Sequence, residues 1–365
     1  MAKKAPFCPN GGLTLVPLPG FEKIIMELKD RIESMGGRPK HFGTPVDVVI
    51  PKFGVYANGE TSNNFPNTHV LGHDCVVVGS GPGTDKMLME LLWTISVLGG
   101  RHAKRITIET GYFPHSRSDK DEGNNVLSGL PMLLALVRAA TSDVGLYRWI
   151  CTDPHSEQIT SAGHPGQVTP VFLTRRLLSF AIEEAQRQPD GERSIVLAFP
   201  DDSAHKRYEK TIGIVEKELS IEFPSVIAFK RRTDSQHTKI LGLVGDTDKV
   251  EGARVITFDD EMATGGSNFD MAQQLKQTYG AHSVWACVSH AVLCGNACRD
   301  LLDQRMHKGG QWIDRVVVTD TIPVRNRPEV LALKNAGILS VYSWLEDLAW
   351  IIYRHHWNLG IRELR

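Results

Sequence analysis

The sequence predicts an α/β protein of two domains, each a mainly parallel sheet flanked by helices. Three observations lead to this prediction. The chain has 365 residues, 41% of them hydrophobic, which is enough for two cores of ordinary size. Short β-branched runs alternate with longer segments whose apolar residues recur three and four positions apart. This alternation occurs once up to about residue 165 and again beyond it, as is typical of parallel sheets joined by helices.

The first domain is predicted over residues 1–165. Its strands are apolar runs at 46–50, 74–80, 105–110 and around 147–151, and unbroken runs of this kind suit strands that helices cover on both faces. A segment with helical spacing, KMLMELLWTISVLGG, fills residues 86–100 and closes with glycine. The last helical segment, SWLEDLAWIIYRHH, could pack on either half of the chain, and we assign residues 336–365 to the first domain.

The second domain is predicted over residues 166–335. Five further apolar runs are its expected strands, at 194–199, 225–229, 254–258, 283–288 and 315–320. A helix is expected at 268–281, where NFDMAQQLKQTYGA has apolar residues three and four apart. The segment QRQPDGERS is expected to be a polar surface loop.

Composition excludes several classes of protein. The formal net charge is -1 and the pI is near 6.9, so the bulk charge gives no reason to expect a nucleic-acid or membrane-surface partner. No signal-peptide core or run of 18 apolar residues is present, which argues against secretion and against a transmembrane helix. The six cysteines form no CxxC pair and are expected to be buried free thiols, as in a cytoplasmic enzyme.

The segment RVITFDDEMATGGSNFDMAQQL is the most informative part of the chain. Asp259 and Asp260 come directly after its predicted strand, and they can accept hydrogen bonds from sugar hydroxyls or help to hold Mg²⁺. A short loop and a helix follow. Glycine lets backbone N–H groups close on an anion, hydroxyls add donors, and the helix directs its positive end there. The expected phosphate-binding residues are Thr264, Gly265, Gly266 and Ser267. The alternative is an ordinary strand-to-helix turn with acidic caps.

This order of strand, acid pair and T-G-G-S loop resembles the type I phosphoribosyltransferase superfamily. The whole pattern is similar to the ribose-phosphate diphosphokinase (PRPP synthetase) family, whose loop has the form DDMIDTGGT. The resemblance implies two phosphoribosyltransferase-like domains. It also implies that the loop binds the phosphate of ribose 5-phosphate and that the acid pair binds the sugar hydroxyls. Ala263 stands where the family usually has a further acid.

Two other segments resemble the parts of the family that bind ATP. GYFPHSRSDKDEG is similar to the family's YFPYARQDRK, which implies that Arg117 and Asp119 lie at the ATP phosphates; Ser118 replaces the usual Gln. KFGVYANGETSNNF is similar to the family's RFSDGE, which reaches the adenine of a neighbouring subunit. The residues implied there are Tyr56, Asn58 and Glu60. A plain hairpin turn is the alternative for the second segment. The shared site implies a homo-oligomer.

The resemblance also assigns metal ligands. WICTDPHSEQI is similar to the family's TVDLHADQI and implies that His155 is a ligand of Mg²⁺. AFPDDSAHKRYEK is similar to SPDxGGxxRA, which places Asp201 near the metal, with Ser203 and Ala204 at the two glycine positions. The alternatives are an ordinary core or loop histidine for His155 and a helix N-cap for Asp201.

FKRRTDSQ is similar to the family's DKRR segment, in which a mobile loop closes a lysine and an arginine over the ATP phosphates. Lys230 and Arg232 are the corresponding residues and are expected to be catalytic. Positive charge suits this step, because negative charge builds on the transferring group. A solvated basic patch is the alternative.

Together these segments predict transfer of the β,γ-diphosphoryl group of ATP to the C1 hydroxyl of ribose 5-phosphate, which gives PRPP and AMP. Two alternatives stay open. A phosphoribosyltransferase would consume PRPP with the same loop, but it would leave the ATP-like segments of the first half unexplained. A catalytically weakened regulatory homologue is the other alternative, and the departures that motivate it are Ser118, Ser203, Ala204 and Ala263.

Overall fold

The computed structural model describes residues 8–36, 41–67, 69–119, 128–232, 238–304 and 309–361, with the backbone alone for 230–232 and 238–239. The chain divides into two compact units. The first unit comprises Met1–Phe172 together with Trp344–Arg365, and the second comprises Leu173–Ser343.

The described residues form strands and helices in regular alternation over most of the chain. The strands are β1 (Leu13–Pro17), β2 (Val46–Val48), β3 (Lys52–Val55), β4 (Thr61–Asn64), β5 (Asp74–Gly79), β6 (Arg105–Thr110), β7 (Arg148–Thr152), β8 (Val168–Val171), β9 (Ile195–Phe199), β10 (Ser225–Arg232), β11 (Thr238–Gly245), β12 (Arg254–Glu261), β13 (Ser283–His290), β14 (Arg315–Thr319) and β15 (Leu339–Tyr342). The helices are α1 (Glu22–Met35), α2 (Asp85–Gly100), α3 (Leu130–Ala140), α4 (Glu157–Ser161), α5 (Thr174–Gln186), α6 (Asp202–Leu219), α7 (Gly266–Gln277), α8 (Ala297–Leu302), α9 (Pro328–Asn335) and α10 (Leu345–His356).

The sheet of the first unit has the strand order β2-β1-β5-β6-β7-β8, and all its neighbouring strands are parallel. β1 lies inside this sheet, between β2 and β5, and all its residues are buried. The sequence prediction lacked this strand, although LTLVP is an apolar run of the kind that parallel sheets bury on both faces. The helix α1 follows it, with a buried stripe that packs on the unit.

A buried polar network fixes α10 to the first unit. Arg105 Nε donates to Asp74 Oδ1 at 2.9 Å, and the same guanidinium donates to the carbonyl oxygen of His355 at 3.1 Å. His356 Nδ1 lies 2.9 Å from Asp74 Oδ2. Burial alone would raise the pKa of Asp74, but the hydrogen bonds from His356 and Arg105 hold that pKa below its usual range. The last helical segment therefore packs on the first unit.

The sheet of the second unit has the order β11-β10-β9-β12-β13-β14-β15, and only β10 and β11 pair antiparallel. The predicted strand over 225–229 is three residues too short, because β10 runs to Arg232. Its last residues pair with β11, which the sequence prediction lacked: Arg231 lies opposite Lys239, and Arg232 opposite Thr238. Lys230 and Arg232 therefore lie on a hairpin strand, and the connection between the strands is 233–237.

The borders of the units differ by a few residues from the predicted domains, 1–165 with 336–365 and 166–335. The first unit extends to Phe172 because β8 pairs with β7 in its sheet. The second unit extends to Ser343 because β15 pairs with β14. Both strands have only four residues and lie at the edges of their sheets.

Apolar side chains cover the second sheet on both faces, as its unbroken apolar strands predict. One cluster contains Val255, Val284 and Val316, and the other contains Ile256, Trp285 and Val317. Four of the six cysteines are buried, whereas Cys8 is half-buried and Cys294 is exposed. In the part of the chain that the structure describes, no helix is long and apolar enough to cross a membrane.

Candidate active site

The carboxyl ends of β9, β12, β13 and β14 meet at one edge of the second sheet, because these strands are parallel neighbours. In open α/β sheets this edge is where ligands bind. The acid pair lies at the end of one of these strands, and Asp201 and the glycine loop follow two of them. The structure thus brings together, within the second unit, residues that the sequence suggested separately.

The acid pair belongs to the end of β12. The predicted strand stopped at residue 258, but β12 continues to Glu261, which lies opposite His290 on β13. Asp259 is half-buried and Asp260 is buried. The backbone N–H of Asp260 donates to Asp259 Oδ1 at 2.9 Å. Extended pairing with β13 therefore holds the backbone of the acid pair in place.

Arg207, from α6, approaches the acid pair. Its Nη1 lies 3.7 Å from Asp260 Oδ1. Burial of Arg207 disfavours its charge, but Tyr208, Asp260 and Asp259 together raise its pKa above the usual value. A permanent positive charge therefore stands beside the acids, and Arg207 aligns with the arginine of the family's SPDxGGxxRA pattern.

The glycine loop has the backbone shape that anion binding requires. Gly265 has φ +80°, a left-handed conformation that other residues adopt at a cost, and a Cβ there would lie 3.4 Å from the ring of Phe269. α7 begins at Gly266, so its first N–H groups have no partner within the helix. Thr264 and Ser267 are exposed beside them. The arrangement can bind a phosphate through hydroxyls, N–H groups and the positive end of a helix.

A second loop supports the glycine loop. It follows β13 and covers residues 291–295; we call it the support loop. Leu293 N donates to Met262 O at 2.8 Å, and Cys294 N donates to Ala263 O at 3.1 Å. These two acceptors immediately precede Thr264, so the support loop holds the entry to the phosphate-binding residues. The sequence motif did not predict this contact, because the support loop lies some thirty residues after the glycine loop in the chain.

Asp201 has a structural role in the second unit. It is the N-cap of α6, and its Oδ1 accepts a hydrogen bond from Ala204 N at 2.9 Å. The alternative of a helix cap is therefore realised in the geometry. Ser203 and Ala204, at the two glycine positions of the family pattern, lie in the first turn of this helix. The carboxylate remains exposed at the sheet edge.

In the first unit, the segment after β6 forms a compact turn. Tyr112 N donates to Ser80 Oγ at 2.8 Å, and Ser116 Oγ donates to the Tyr112 hydroxyl at 2.6 Å. Ser118 Oγ accepts from Gly129 N at 3.1 Å, so the residue that replaces the family's Gln fixes the start of α3. Arg117 is exposed and Asp119 is half-buried. The arginine is therefore accessible to a phosphate.

His155 follows β7, in a tight connection to α4. Asp153, two residues earlier, is buried and has φ +39°, a conformation that is uncommon for an aspartate and turns the chain sharply. His155 itself is half-buried. Among the described residues, no group of three or more His, Cys, Asp or Glu side chains could hold a metal ion by itself.

The segment that resembles the family's RFSDGE is a hairpin. β3 and β4 pair antiparallel, and Tyr56 N donates to Glu60 O at 2.8 Å across the turn. Glu60 N also donates to Asn58 Oδ1 at 3.2 Å. Tyr56 is 59% exposed, so its ring presents a face that could stack on a base. The hairpin turn that the sequence offered as the alternative is present, and it leaves the aromatic side chain outside the core.

The side chains of Lys230 and Arg232 lie outside the described residues. Their backbone belongs to β10, at the end of the sheet where the carboxyl end of β9 also lies, since these two strands are parallel.

Comparison with known proteins identifies the family. Residues 40–139 match the model of the N-terminal domain of ribose phosphate pyrophosphokinase. A ribose-phosphate pyrophosphokinase from Pasteurella multocida is 29% identical over 296 residues, which cover 80% of this chain and 85% of that protein. One from Vibrio cholerae is 30% identical over 303 residues, which cover 82% of this chain and 86% of that protein. The chain belongs to the ribose-phosphate pyrophosphokinase family.

The fold agrees with this assignment. A crystal structure of phosphoribosylpyrophosphate synthetase from Mycobacterium smegmatis superimposes with a TM-score of 0.70 at 24% identity, and the match covers 95% of this chain and 99% of that chain. The prediction of two phosphoribosyltransferase-like α/β domains with mainly parallel sheets is confirmed. The ribose-phosphate pyrophosphokinase relatives also match beyond the region of the family model, because their alignments cover about four fifths of the chain.

Proposed function

We propose that the chain transfers the β,γ-diphosphoryl group of ATP to the C1 hydroxyl of ribose 5-phosphate and releases PRPP and AMP. The observation that carries this proposal is the 30% identity to a ribose-phosphate pyrophosphokinase over 82% of the chain. The family model matches residues 40–139, which include both candidate ATP segments, whereas the glycine loop alone would fit a phosphoribosyltransferase equally well.

Ribose 5-phosphate is proposed to bind at the carboxyl edge of the second sheet. Its phosphate would accept hydrogen bonds from the loop and the first turn of α7, at Thr264, Gly265, Gly266 and Ser267. The sugar hydroxyls would donate to Asp259 and Asp260. Because Arg207 already neutralises part of the charge on Asp260, the acids can lie close to an anionic ligand without excessive repulsion.

ATP is proposed to use the turn after β6 and the β3–β4 hairpin. Arg117 has a planar fork of donors that suits phosphate oxygens, and its exposure leaves it accessible. Asp119 would lie nearby. Tyr56 would stack on the adenine, and Asn58 and Glu60 would contact the edge of the base. The hairpin geometry supports this assignment, since the turn fixes the backbone while the tyrosine ring stays exposed.

Lys230 and Arg232 are proposed as the catalytic cations. Positioning and charge neutralisation account for most of the rate enhancement in phosphoryl transfer, so cations near the transferring group are the main requirement. The backbone of both residues belongs to the last part of β10.

The divalent metal that phosphoryl transfer requires is proposed to be Mg²⁺. The resemblance implies one protein ligand from each unit, His155 in the first and Asp201 in the second. Mg²⁺ usually keeps several waters and binds substrate phosphates with only one or two protein groups. Asp201 fits such a limited role, because one carboxylate oxygen caps α6 and the side chain remains exposed. When bound, the ion would neutralise charge on the transferring phosphoryl oxygens.

A homo-oligomer and a cytoplasmic location are also proposed. Exposed apolar side chains on α2 and α3, which pack side by side, support association with a second copy. They are Met89, Trp93, Met132 and Leu136. The cysteines are all free, which fits a reducing compartment.

Incubation of the purified protein with ATP, Mg²⁺ and ribose 5-phosphate tests the proposed reaction. We expect equal amounts of AMP and PRPP, and no AMP when ribose 5-phosphate is omitted. Consumption of added PRPP with a nucleobase, and no release of AMP, would instead identify a phosphoribosyltransferase. A protein that produces neither product alone, but changes the turnover of an added active pyrophosphokinase, would be the regulatory homologue.

A further inference from the structure

Arg327 makes an unusual set of contacts close to the candidate active site. Its Nη1 donates to Ala291 O at 2.7 Å. Its Nη2 donates to Val292 O at 2.7 Å and to Leu293 O at 2.8 Å. One guanidinium therefore binds three consecutive carbonyl groups of the support loop. Hydrogen bonds with a charged donor are roughly twice as strong as neutral ones.

The fold holds Arg327 at a fixed point. Its backbone N–H donates to Val324 O at 3.1 Å, and its carbonyl accepts from Leu331 N at 2.9 Å in the first turn of α9. Only 19% of its side chain is exposed. Because its backbone is hydrogen-bonded and its side chain is largely buried, the guanidinium has a fixed position. It therefore also fixes the positions of the carbonyl groups that it binds.

The support loop passes this position on to the phosphate-binding residues. Its N–H groups at Leu293 and Cys294 donate to Met262 O and Ala263 O, immediately before Thr264. Leu293 has φ +43°, a conformation that is rare for a branched side chain and needs support from its surroundings. The Arg327 guanidinium donates a hydrogen bond to the carbonyl of Leu293, so it stabilises the support loop at the residue whose backbone is strained.

We propose that Arg327 is a positioning residue that sets the glycine loop for the phosphate of ribose 5-phosphate. It acts through the support loop and does not touch the substrate. The inference rests on the proposed function for the identity of the ligand. Removal of the guanidinium lets residues 291–294 relax, which shifts Met262 and Ala263 and with them the donors of the glycine loop. A shift of about 1 Å at such a site can cost roughly a hundredfold in reactivity.

The predicted signature is selective for one substrate. In Arg327→Met we expect the KM for ribose 5-phosphate and its Kd to rise about tenfold, whereas the KM for ATP stays within about twofold. For Arg327→Lys, the KM and Kd for ribose 5-phosphate should lie between those of Arg327→Met and those of the wild type. The lysine ammonium is a point charge and cannot bind three carbonyl groups as the planar guanidinium does. A purely structural role would lower the melting temperature and the active fraction without changing one KM selectively.

Two matched controls are available. Glu329→Gln removes the exposed carboxylate, 3.4 Å from Arg327 Nε, and keeps the three carbonyl contacts. Arg299→Met removes an exposed arginine of α8 that pairs with its neighbour Asp300. Both controls should keep the KM for ribose 5-phosphate of the wild type.

Steady-state kinetics and calorimetric binding of ribose 5-phosphate decide between the outcomes, with folding checked by circular dichroism. If Arg327→Met is too unstable to measure, Arg327→Lys carries the same comparison. Wild-type KM and Kd for ribose 5-phosphate in a folded Arg327 variant would overturn the positioning role. A wild type that binds ribose 5-phosphate but releases no AMP would refute the proposed function alone, and weaker binding in Arg327→Met would still support the positioning role. A wild type that does not bind ribose 5-phosphate would overturn both.

Discussion

Glu109, on β6, is a fully buried carboxyl group inside the first unit. Neither of its oxygens has a hydrogen-bond partner among the described residues. Burial raises the pKa of Glu109 well above its usual value, because the charged form would be poorly solvated there. The Glu109 carboxyl therefore keeps its proton to a higher pH than an exposed glutamate does.

This pKa makes stability depend on pH. The folded state retains the proton of Glu109 at pH values where the unfolded chain has lost it, so stability falls as pH rises above the ordinary glutamate pKa. Glu109→Gln has no proton to lose. We expect the free energy of unfolding of Glu109→Gln, relative to that of the wild type, to rise with pH. Above the ordinary glutamate pKa the rise should be up to about 1.4 kcal/mol per pH unit. Urea denaturation at pH 5 and pH 8 measures the change.

Glu192→Gln is the control, because Glu192 is an exposed glutamate on the loop after α5. Its difference from wild type should be the same at both pH values. An equally constant difference for Glu109→Gln would show that Glu109 ionises normally in the folded protein.

Lys230 is one of the two proposed catalytic cations. Lys230→Ala should lower turnover by at least about an order of magnitude. The variant lacks a positive charge near the transferring group, and one such donor stabilises the transition state by roughly 3 kcal/mol. Turnover of ATP at saturating substrates is the measurement. Arg231→Ala is the matched control: it removes the same charge from the intervening position of β10, which the family resemblance does not assign to the ATP phosphates. Equal turnover in the two variants would remove Lys230 from the mechanism.

Elements depend on contacts that vary greatly in strength, and α10 shows both extremes. Its C-terminal end joins the buried network of Asp74 and Arg105, whereas Glu346 at its start forms an exposed ion pair with Arg31 at 2.7 Å. Removal of one partner from a buried pair leaves an uncompensated charge in the interior, whereas exposed pairs contribute little because water already solvates both charges.

Asp74→Asn should therefore lower the free energy of unfolding by about 3–5 kcal/mol, and Arg31→Ala by less than about 1 kcal/mol. Urea denaturation of both variants measures the difference. Because the pKa of Asp74 is depressed in the folded protein, its contribution is present above the ordinary aspartate pKa and is lost as pH falls below it. Similar losses in the two variants would contradict the importance of the buried network.

Strand prediction failed chiefly at the sheet edges. β8, β11 and β15, which the sequence prediction lacked, are all edge strands. An edge strand needs fewer apolar residues than a central one, and VTPV even contains a proline, which edges tolerate. Central strands such as β5, β12 and β13 were predictable, because burial on both faces demands an unbroken apolar run.

The exposed apolar face of α2 and α3 is the surface that we expect to join copies of this chain. Trp93 is 38% exposed and Met132 is 57% exposed, on two helices that also pack against each other. Exposed apolar patches on soluble proteins often mark interfaces, because association removes them from water.

The protein should therefore have a solution mass of at least twice the 40.5 kDa of one chain. Light scattering coupled to gel filtration at micromolar concentration measures this mass. Replacing Trp93 and Met132 by serine should reduce the mass, whereas replacement of Met26, exposed on α1, should not. A monomeric wild type at all accessible concentrations would contradict the proposed assembly.

The fold class, the glycine loop and the family resemblance follow from the amino-acid sequence alone. The glycine loop does so because a positive φ at Gly265 and a helix start at Gly266 are local properties of one short segment. The folded structure was needed to choose the helix cap among the roles of Asp201, and to show that Glu109 is buried without a partner among the described residues and that Arg327 binds the support loop. Each of these depends on where a side chain ends among the atoms around it. For Glu109 and Arg327 those atoms come from segments far away along the chain, so no local pattern specifies them.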